Sequence, residues 1–238
     1  MKTFLERNAM RALNVALRVG EAIIHRAYRD GRRVFFEPRD FPWTAKLESG
    51  WCDIRAELDD VLEDRARIPT FQAVSREQEY ITTDQGWKVF VFSIYGAPVE
   101  RNCRRCPRTA ALLREVPGLR NAFFSILAPG KRIPEHRGVY NGLLRYHLGL
   151  RVPADAENCV LTVKGEERRW REGSALIFDD SFPHSVRNDT PEERVVLFAD
   201  FVRPLPLPVS LMNRVVLAAL GTSPLFREPI ARFERGEL

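Results

Sequence analysis

Short β-rich stretches dominate the second half of the chain, and they restrict the fold more than any other feature. Turn residues such as Pro129-Gly130 and Glu172-Gly173 separate them. Seven such stretches cover residues 122–127, 143–152, 159–164, 167–170, 174–178, 184–188 and 194–201. Short strands at this spacing are typical of an all-β sandwich or barrel. With a further strand predicted over residues 87–95, they favour a mainly β jelly roll.

Helical patterns flank the β-rich region. Apolar residues recur at helical spacing in four segments, residues 3–28, 51–66, 107–116 and 209–220. The remaining segments are expected to be extended (34–41), to form loops (69–80 and 96–105), or to be loose at the polar end of the chain.

This pattern divides the chain into three parts. Residues 1–48 form a basic amphipathic helix with a linker, residues 49–204 form the β domain, and residues 205–238 form a helical tail. We therefore expect flanking α-helices at the N-terminus and a short helix at the C-terminus.

The basic charge is concentrated at the start of the chain. The 238 residues carry a formal net charge of +5, and residues 1–33 alone hold eight Lys or Arg against three acids. A basic amphipathic helix can bind an anionic membrane, but the same helix could pack on the domain with its arginines in water. Few aromatic residues are interleaved with these charges, so a nucleic-acid partner is not expected.

The sequence shows neither a membrane span nor a clear secretory signal. No apolar run reaches the roughly 20 residues that a bilayer span needs, and charged residues interrupt any secretory signal. We expect a cytoplasmic protein, with peripheral association at the inner face of the membrane left open.

The four cysteines are too few for a disulfide framework, and Cys103-Arg104-Arg105-Cys106 lacks a second pair, which predicts reduced thiols.

Three of the four histidines lie in the β-rich region. Neutral imidazole is a good ligand for iron, copper, zinc and nickel, which makes His136 and His184 a candidate metal pair. Non-haem iron oxygenases usually add a carboxylate to two histidines. A His-x-Asp pattern would supply it, but Gly138 occupies that position. Taken alone, two histidines this far apart are more often ordinary core or surface residues.

Two arginines occur within apolar strands. Arg145 and His147 share one face of a predicted strand, while Leu144, Tyr146 and Leu148 take the other. If the apolar face packs against helices, Arg145 and His147 point into the interior, where an arginine is costly unless an anion meets it. Arg194 opens another apolar strand. Two inward arginines suit a dicarboxylate such as 2-oxoglutarate, and ordinary charges at the rim remain the alternative.

Several motifs resemble the aspartyl/asparaginyl β-hydroxylase family. They are His136-Arg137-Gly138, residues 144–150, Trp170-x-Glu172-Gly173 and residues 177–184, followed by Arg194. Their order and spacing match the family from about Trp51 to Pro204. The family includes peptidyl aspartate/asparagine hydroxylases and bacterial hydroxylases of lipid A or ornithine-lipid acyl chains.

The resemblance implies a cupin-like double-stranded β-helix that uses Fe(II), 2-oxoglutarate and O2 to hydroxylate an unactivated C–H bond. By position, His136 and His184 would hold the iron. Ser125 and Arg194 would bind the distal carboxylate of 2-oxoglutarate, and Arg145 with His147 would hold the end nearest the metal. Asp179 and Asp180 are outside the family's ligand set and are expected to satisfy local backbone donors.

The acceptor is left open by the same resemblance. Gly138 is shared with the peptidyl branch, whereas Leu143 stands where the peptidyl enzyme has an additional arginine. Residues 106–113 and the tail after Arg203-Pro204 resemble the bacterial lipid hydroxylases. The expected acceptor is therefore a membrane-lipid acyl chain or an Asp/Asn residue. A catalytically silent 2-oxoglutarate sensor or lipid-binding module is the alternative from another class.

Overall fold

The structure is a computed structural model that describes residues 4–27, 33–222 and 224–238. The helices are α1 (Phe4–Ala27), α2 (Thr44–Ser49), α3 (Trp51–Glu63), α4 (Phe71–Val74), α5 (Glu100–Arg105), α6 (Pro107–Arg114), α7 (Val209–Thr222) and α8 (Pro224–Glu234). The strands are β1 (Phe35–Phe36), β2 (Trp87–Ile94), β3 (Ala97–Pro98), β4 (Leu119–Leu127), β5 (Arg132–His136), β6 (Leu143–Arg151), β7 (Cys159–Val163), β8 (Glu166–Arg169), β9 (Ala175–Phe178), β10 (His184–Asn188) and β11 (Arg194–Val202).

Two antiparallel sheets form the body of the protein. The larger sheet has the order β1-β9-β6-β11-β4-β2-β3, and the smaller has the order β5-β10-β7-β8. Their inner faces meet in an apolar interior, with Val91 and Phe198 from one sheet and Val163 and Val186 from the other. The predicted mainly β, cupin-like jelly roll with flanking helices is thus confirmed.

Alternation along β6 places its side chains as predicted. Leu144, Tyr146 and Leu148 lie on the outer face of the large sheet and pack with Ile54 and Leu58 of α3 in one buried cluster. Because successive side chains of a strand point to opposite faces, the residues between them face the interior. The helical layer therefore covers the outer face and leaves the inner face for the site.

Four segments differ from their predictions. Strand β5 was not predicted, because its sequence contains a proline and charged residues; it forms as an edge strand paired with β10. The predicted loops over residues 69–80 and 96–105 contain α4 and α5. The predicted extended segment over residues 34–41 is a strand only at Phe35–Phe36.

The two ends of the chain pack on the domain. Helix α1 confirms the helix predicted over residues 3–28, whose first and last residues lie outside the described part of the chain. The prediction of a loose C-terminus was wrong, because α8 buries Pro229 and Phe233 and Arg232 donates a hydrogen bond to the Ala73 carbonyl at 2.5 Å. Among the described helices, none combines the length and hydrophobicity required to cross a membrane.

All four cysteines are free thiols, as predicted. Burial raises the pKa of the Cys106 thiol to about 12, so this group is unreactive at neutral pH.

Candidate active site

Strand pairing brings the two predicted metal ligands together. His136 of β5 lies directly opposite His184 of β10, and their ring centroids are 4.1 Å apart. The Nδ1 atom of His136 lies 2.9 Å from the Pro134 carbonyl oxygen, and that of His184 lies 3.0 Å from the Phe182 carbonyl oxygen. Since a carbonyl oxygen only accepts, each Nδ1 carries the hydrogen and each Nε2 keeps its lone pair.

The environment keeps both imidazoles neutral. Burial lowers the pKa of His136, and the nearby Arg145 guanidinium lowers it further. Burial, Arg145 and the neighbouring imidazole together lower the pKa of His184 to about 3. Neutral imidazole with a fixed tautomer is the form that binds a metal. The described residues contain no group of three or more His, Cys, Asp or Glu that could hold a metal. A metal ion at this site would therefore be coordinated by these two side chains.

Asp180 occupies the space where a side chain at position 138 would lie. The Gly138 N–H donates to the Asp180 carbonyl oxygen at 2.8 Å, and a Cβ added to Gly138 would collide with the Asp180 carboxylate. Asp179 caps the turn as predicted, because it accepts from the Ser181 N–H at 3.0 Å and from the Ser181 hydroxyl at 2.6 Å. Asp180 instead turns toward Arg145.

Arg145 is held by two carboxylates. Its Nε lies 2.9 Å from Asp200 Oδ1, directly across from it on β11, and its Nη2 lies 2.8 Å from Asp180 Oδ2. Its Nη1 approaches His184 Nε2 at 3.4 Å. Burial alone would lower the pKa of Arg145, but the carboxylates of Asp180 and Asp200 outweigh it and raise that pKa. The charge of Arg145 is therefore balanced from within the protein.

His147 keeps an unused donor in the interior. The Trp170 Nε1–H donates to His147 Nδ1 at 3.3 Å, so the hydrogen of the neutral ring sits on Nε2. Burial, followed by the charges of Arg194 and Arg145, lowers the pKa of His147 well below its usual range. Its Nε2 is buried and has no hydrogen-bond partner among the described residues.

Arg194 is the second arginine of the site, and it is almost completely buried. It is 1% exposed, and its guanidinium carbon lies 4.6 Å from the centroid of the Trp170 ring. Its Nε and Nη1 have no hydrogen-bond partner in the part of the chain that the structure describes. Burial lowers the pKa of Arg194 to about 10. The alternative that Arg194 is a charge at the rim is therefore wrong.

Ser125 lies on the neighbouring strand β4, opposite Val196 of β11. Its hydroxyl oxygen accepts a hydrogen bond from the Trp87 Nε1–H at 3.0 Å, which leaves the O–H as a donor. Together with Arg194 and His147, it forms a donor cluster on the inner face of the large sheet. Unpaired buried donors of this kind are expensive, and an anion with several oxygens would satisfy them.

A cavity of about 130 Å³ opens beside the histidine pair. His136 and Arg145 lie at its polar side, and most of the remaining wall is apolar, including Phe71, Val74, Val91, Phe123 and Phe198. A second lobe of about 90 Å³ shares Arg145 and Asp200 with the first and reaches Leu217 and Leu220 of α7. The first lobe thus reaches His136 along a mostly apolar wall, and the second lies beside it on the side of α7.

Sequence reasoning missed Asp200 and Trp87. Alternation from Arg194 through Val196 and Phe198 would have placed Asp200 on the inner face of β11. No local signal could have found Trp87, because its bond to Ser125 joins two different strands.

The chain is similar to proteins whose names refer to a hydroxylase or to a hydroxylase domain. It is 41% identical over 207 residues to "Ornithine lipid ester-linked acyl 2-hydroxylase" of Rhizobium tropici, which covers 87% of this chain and 74% of that protein. It is 40% identical over 159 residues to "Aspartate beta-hydroxylase domain-containing protein 2" of Rattus norvegicus, covering 59% of this chain. The chain spans less than half of the rat protein, 46% of its length.

Two solved structures are similar to part of the chain. A prolyl-4-hydroxylase of Pseudomonas putida superimposes with a TM-score of 0.44 at 16% identity, covering 64% of this chain and 88% of that chain. A Cupin_2 domain of an XRE family transcriptional regulator from Enterobacter cloacae gives a TM-score of 0.35 at 16% identity, covering 50% of this chain and 100% of that chain.

The sequence model described as "Aspartyl/Asparaginyl beta-hydroxylase" matches residues 48–204, the segment that contains the histidine pair and the donor cluster. With this match and the Rhizobium relative, the chain belongs to the aspartyl/asparaginyl β-hydroxylase family and is a hydroxylase.

Proposed function

We propose that the protein is an Fe(II)- and 2-oxoglutarate-dependent dioxygenase that hydroxylates an aliphatic C–H bond of a membrane-lipid acyl chain. The observation that carries the proposal is the pairing of two neutral imidazoles, 4.1 Å apart, with unpaired buried donors on Arg194 and His147. Such a site offers a metal two nitrogen ligands and offers an anionic co-substrate a cation.

The residues fit the metal through the Nε2 nitrogens of the two histidines. His136 and His184 would hold Fe(II) through Nε2, while the carbonyl oxygens of Pro134 and Phe182 fix the tautomer from the other side of each ring. With 2-oxoglutarate and O2, the iron supplies the oxidising power that converts C–H to C–OH, and 2-oxoglutarate leaves as succinate and carbon dioxide. The protein's own part is to bind, orient and exclude water.

The donor cluster fits the co-substrate. Arg194 and Ser125 would bind the distal carboxylate, which would satisfy the guanidinium nitrogens that have no hydrogen-bond partner among the described residues. His147 Nε2–H would donate to the opposite end of the molecule. Trp170 orients both groups, since it holds the His147 ring by a hydrogen bond and lies against the Arg194 guanidinium.

The cavity wall favours an aliphatic acceptor over an acidic side chain. Arg145 is the one cation among the described residues that line the two lobes, and Asp180 and Asp200 already balance it. An aspartate side chain would therefore have to compete with two internal carboxylates for one guanidinium. An acyl chain would instead contact Phe71, Val74 and Phe123. The name of the Rhizobium relative points to the same acceptor class.

Succinate release by the purified protein with Fe(II), ascorbate and 2-oxoglutarate tests the chemistry. His136→Ala and His184→Ala are each expected to lower turnover by about 100-fold or more, since loss of a metal ligand removes the reacting centre. The matched control is His25→Ala, an exposed histidine on α1 that should leave turnover unchanged. Normal turnover in either of the first two variants would contradict the proposal.

Lipid profiling tests the acceptor. Cells that express the protein should contain acyl chains heavier by one oxygen atom, and cells with His184→Ala should not. Oxidised Asp or Asn products with unchanged lipids would instead assign the peptidyl acceptor. Tight 2-oxoglutarate binding without any turnover would favour the silent sensor.

A further inference from the structure

Helices α1 and α7 present exposed apolar side chains on one side of the molecule. On α1, Val15, Val19 and Ile23 follow at intervals of four residues and are 61%, 53% and 39% exposed. On α7, Leu211 and Val215 have the same spacing and are 60% and 64% exposed. At this spacing, residues lie in one row along a helix. We call these five side chains the platform.

The opposite faces of the same helices bury a shared cluster. Leu17 and Ile24 of α1 pack with Leu217 and Leu220 of α7. Because both helices turn their buried faces to this one cluster, their platform residues point away from the body of the protein. Eight large apolar side chains are exposed in the described part of the chain, and five of them form the platform. Such a concentration marks an interaction surface.

The charges on the described exposed residues of these helices are basic. Arg18 and Arg26 of α1 and Arg214 of α7 are exposed, while none of the described exposed residues of either helix is an Asp or Glu. An apolar row combined with arginines matches the surface of an anionic bilayer, in which acyl chains lie below negatively charged headgroups.

Helix α7 carries platform residues on one face and lines the second lobe of the cavity with the other. Leu217 and Leu220, on the buried face of α7, line that lobe together with Arg145 and Asp180. The Asn141 amide donates to the Glu21 carbonyl oxygen of α1 at 3.2 Å, just after the segment that carries Gly138. A surface that received this side of the molecule would lie against α7, whose buried face lines the second lobe.

We propose that the platform is a docking surface for an anionic lipid bilayer. Binding there would insert the apolar row between headgroups, set the arginines against their charges, and bring the second lobe to the membrane surface. The docking rests on exposure and charge alone. Its link to an acyl-chain acceptor rests on the proposed function.

Co-sedimentation of the full chain with vesicles tests the docking. Vesicles of phosphatidylcholine with phosphatidylglycerol should bind the protein, vesicles of phosphatidylcholine alone should bind it less, and added salt should weaken binding to the first. The double variant Val19→Glu with Val215→Glu should lower partitioning to the anionic vesicles by roughly tenfold or more, because it places charges where acyl contact is expected.

The matched control is Arg67→Gln with Arg171→Gln, two exposed residues outside both helices, which lowers the net charge by the same amount. It should retain most of the binding. Equal binding by the wild type and the glutamate variant, or no binding by the wild type, would overturn the proposal. So would a wild-type dimer that the glutamate variant converts to a monomer in light scattering, since the platform would then join two copies.

Turnover separates this proposal from the preceding one. Succinate release without vesicles should be unchanged in the glutamate variant, which also reports that the variant is folded. Lost vesicle binding is thus read against intact chemistry. A wild type that binds vesicles but never consumes 2-oxoglutarate would reject the dioxygenase proposal and leave the docking surface standing.

Discussion

Arg145 and Arg194 point into the same interior, but their surroundings are opposite. Asp180 and Asp200 flank Arg145 at 2.8 and 2.9 Å, and their charges raise its pKa. Arg194 is more deeply buried and lies against the Trp170 ring, where burial lowers its pKa to about 10. Two of its nitrogens have no hydrogen-bond partner among the described residues.

The difference separates a structural charge from a binding charge. An enclosed cation with internal counter-ions is satisfied by the fold, whereas a buried cation without one is stabilised only when an anion arrives. Under the proposed function, the Arg194 end would therefore receive the distal carboxylate of 2-oxoglutarate. A contact between Arg145 and the end nearest the metal stays a prediction, and it would have to form beside the ion pairs with Asp180 and Asp200.

Arg194→Met should give the largest effect on function. The affinity for 2-oxoglutarate should fall by about 100- to 1000-fold, since the variant removes a desolvated charge pair. The same variant should have an unchanged or higher melting temperature without ligand, because an unpaired buried charge has been replaced by an apolar side chain. Thermal melting with and without 2-oxoglutarate measures both. A large loss of stability in ligand-free Arg194→Met would contradict the view that Arg194 serves binding and does not stabilise the fold.

Arg145→Met should affect stability more than co-substrate affinity. It leaves Asp200 as a buried carboxylate without that cation and removes a counter-charge from Asp180, whose pKa burial already raises to about 7. The loss should cost about 3–5 kcal/mol in the free energy of unfolding. Urea denaturation measures this cost. Adding Asp200→Asn should recover part of it, because an unpaired buried charge is removed. Full stability of the single variant would show that Arg145 is not held as described.

Ser125→Ala should have a smaller effect at the Arg194 end. The KM for 2-oxoglutarate should rise about tenfold, the equivalent of one hydrogen bond to a charged group. Ser93→Ala is the control, because Ser93 has a buried hydroxyl that donates to the Arg120 carbonyl on the same sheet. An equal rise in KM in both variants would mean that the change is a general effect of losing a buried hydroxyl.

Trp170→Phe should have the smallest effect. The variant keeps an aromatic face beside Arg194 but removes the N–H that fixes the tautomer of His147. Loss of one neutral hydrogen bond should lower kcat/KM for 2-oxoglutarate by about two- to tenfold. Steady-state kinetics measures it, and unchanged kinetics would show that His147 needs no such support.

Local pattern predicted much of this site. Alternation in β6 placed Arg145 and His147 inside, and continuing it along β11 from Arg194 would have given Asp200. Alternation could not show that Asp180 turns back into the space beside Gly138, because that contact depends on how β5 and β10 pair. It also could not distinguish a paired arginine from an unpaired one, since the partners lie on other strands.

The two ends of the chain also depend on contacts that local sequence does not predict. Helical periodicity correctly predicted α1, but the buried partner of its inner face is α7, which lies far along the sequence. Strand β5 has little intrinsic β preference and forms through pairing with β10. The C-terminal residues look polar in sequence, yet Phe233 and Pro229 find apolar partners on the domain. In each case, non-local packing decides what local sequence leaves open.

The most direct test of the contrast between Arg145 and Arg194 is a crystal structure with Mn(II) and 2-oxoglutarate, grown without oxygen. We expect one carboxylate of 2-oxoglutarate to lie within hydrogen-bonding distance of Arg194 and Ser125. The metal should be bound by His136 and His184, and Arg145 should still be paired with Asp200. A distal carboxylate bound by Arg145, with the Arg194 nitrogens still unpaired, would contradict it.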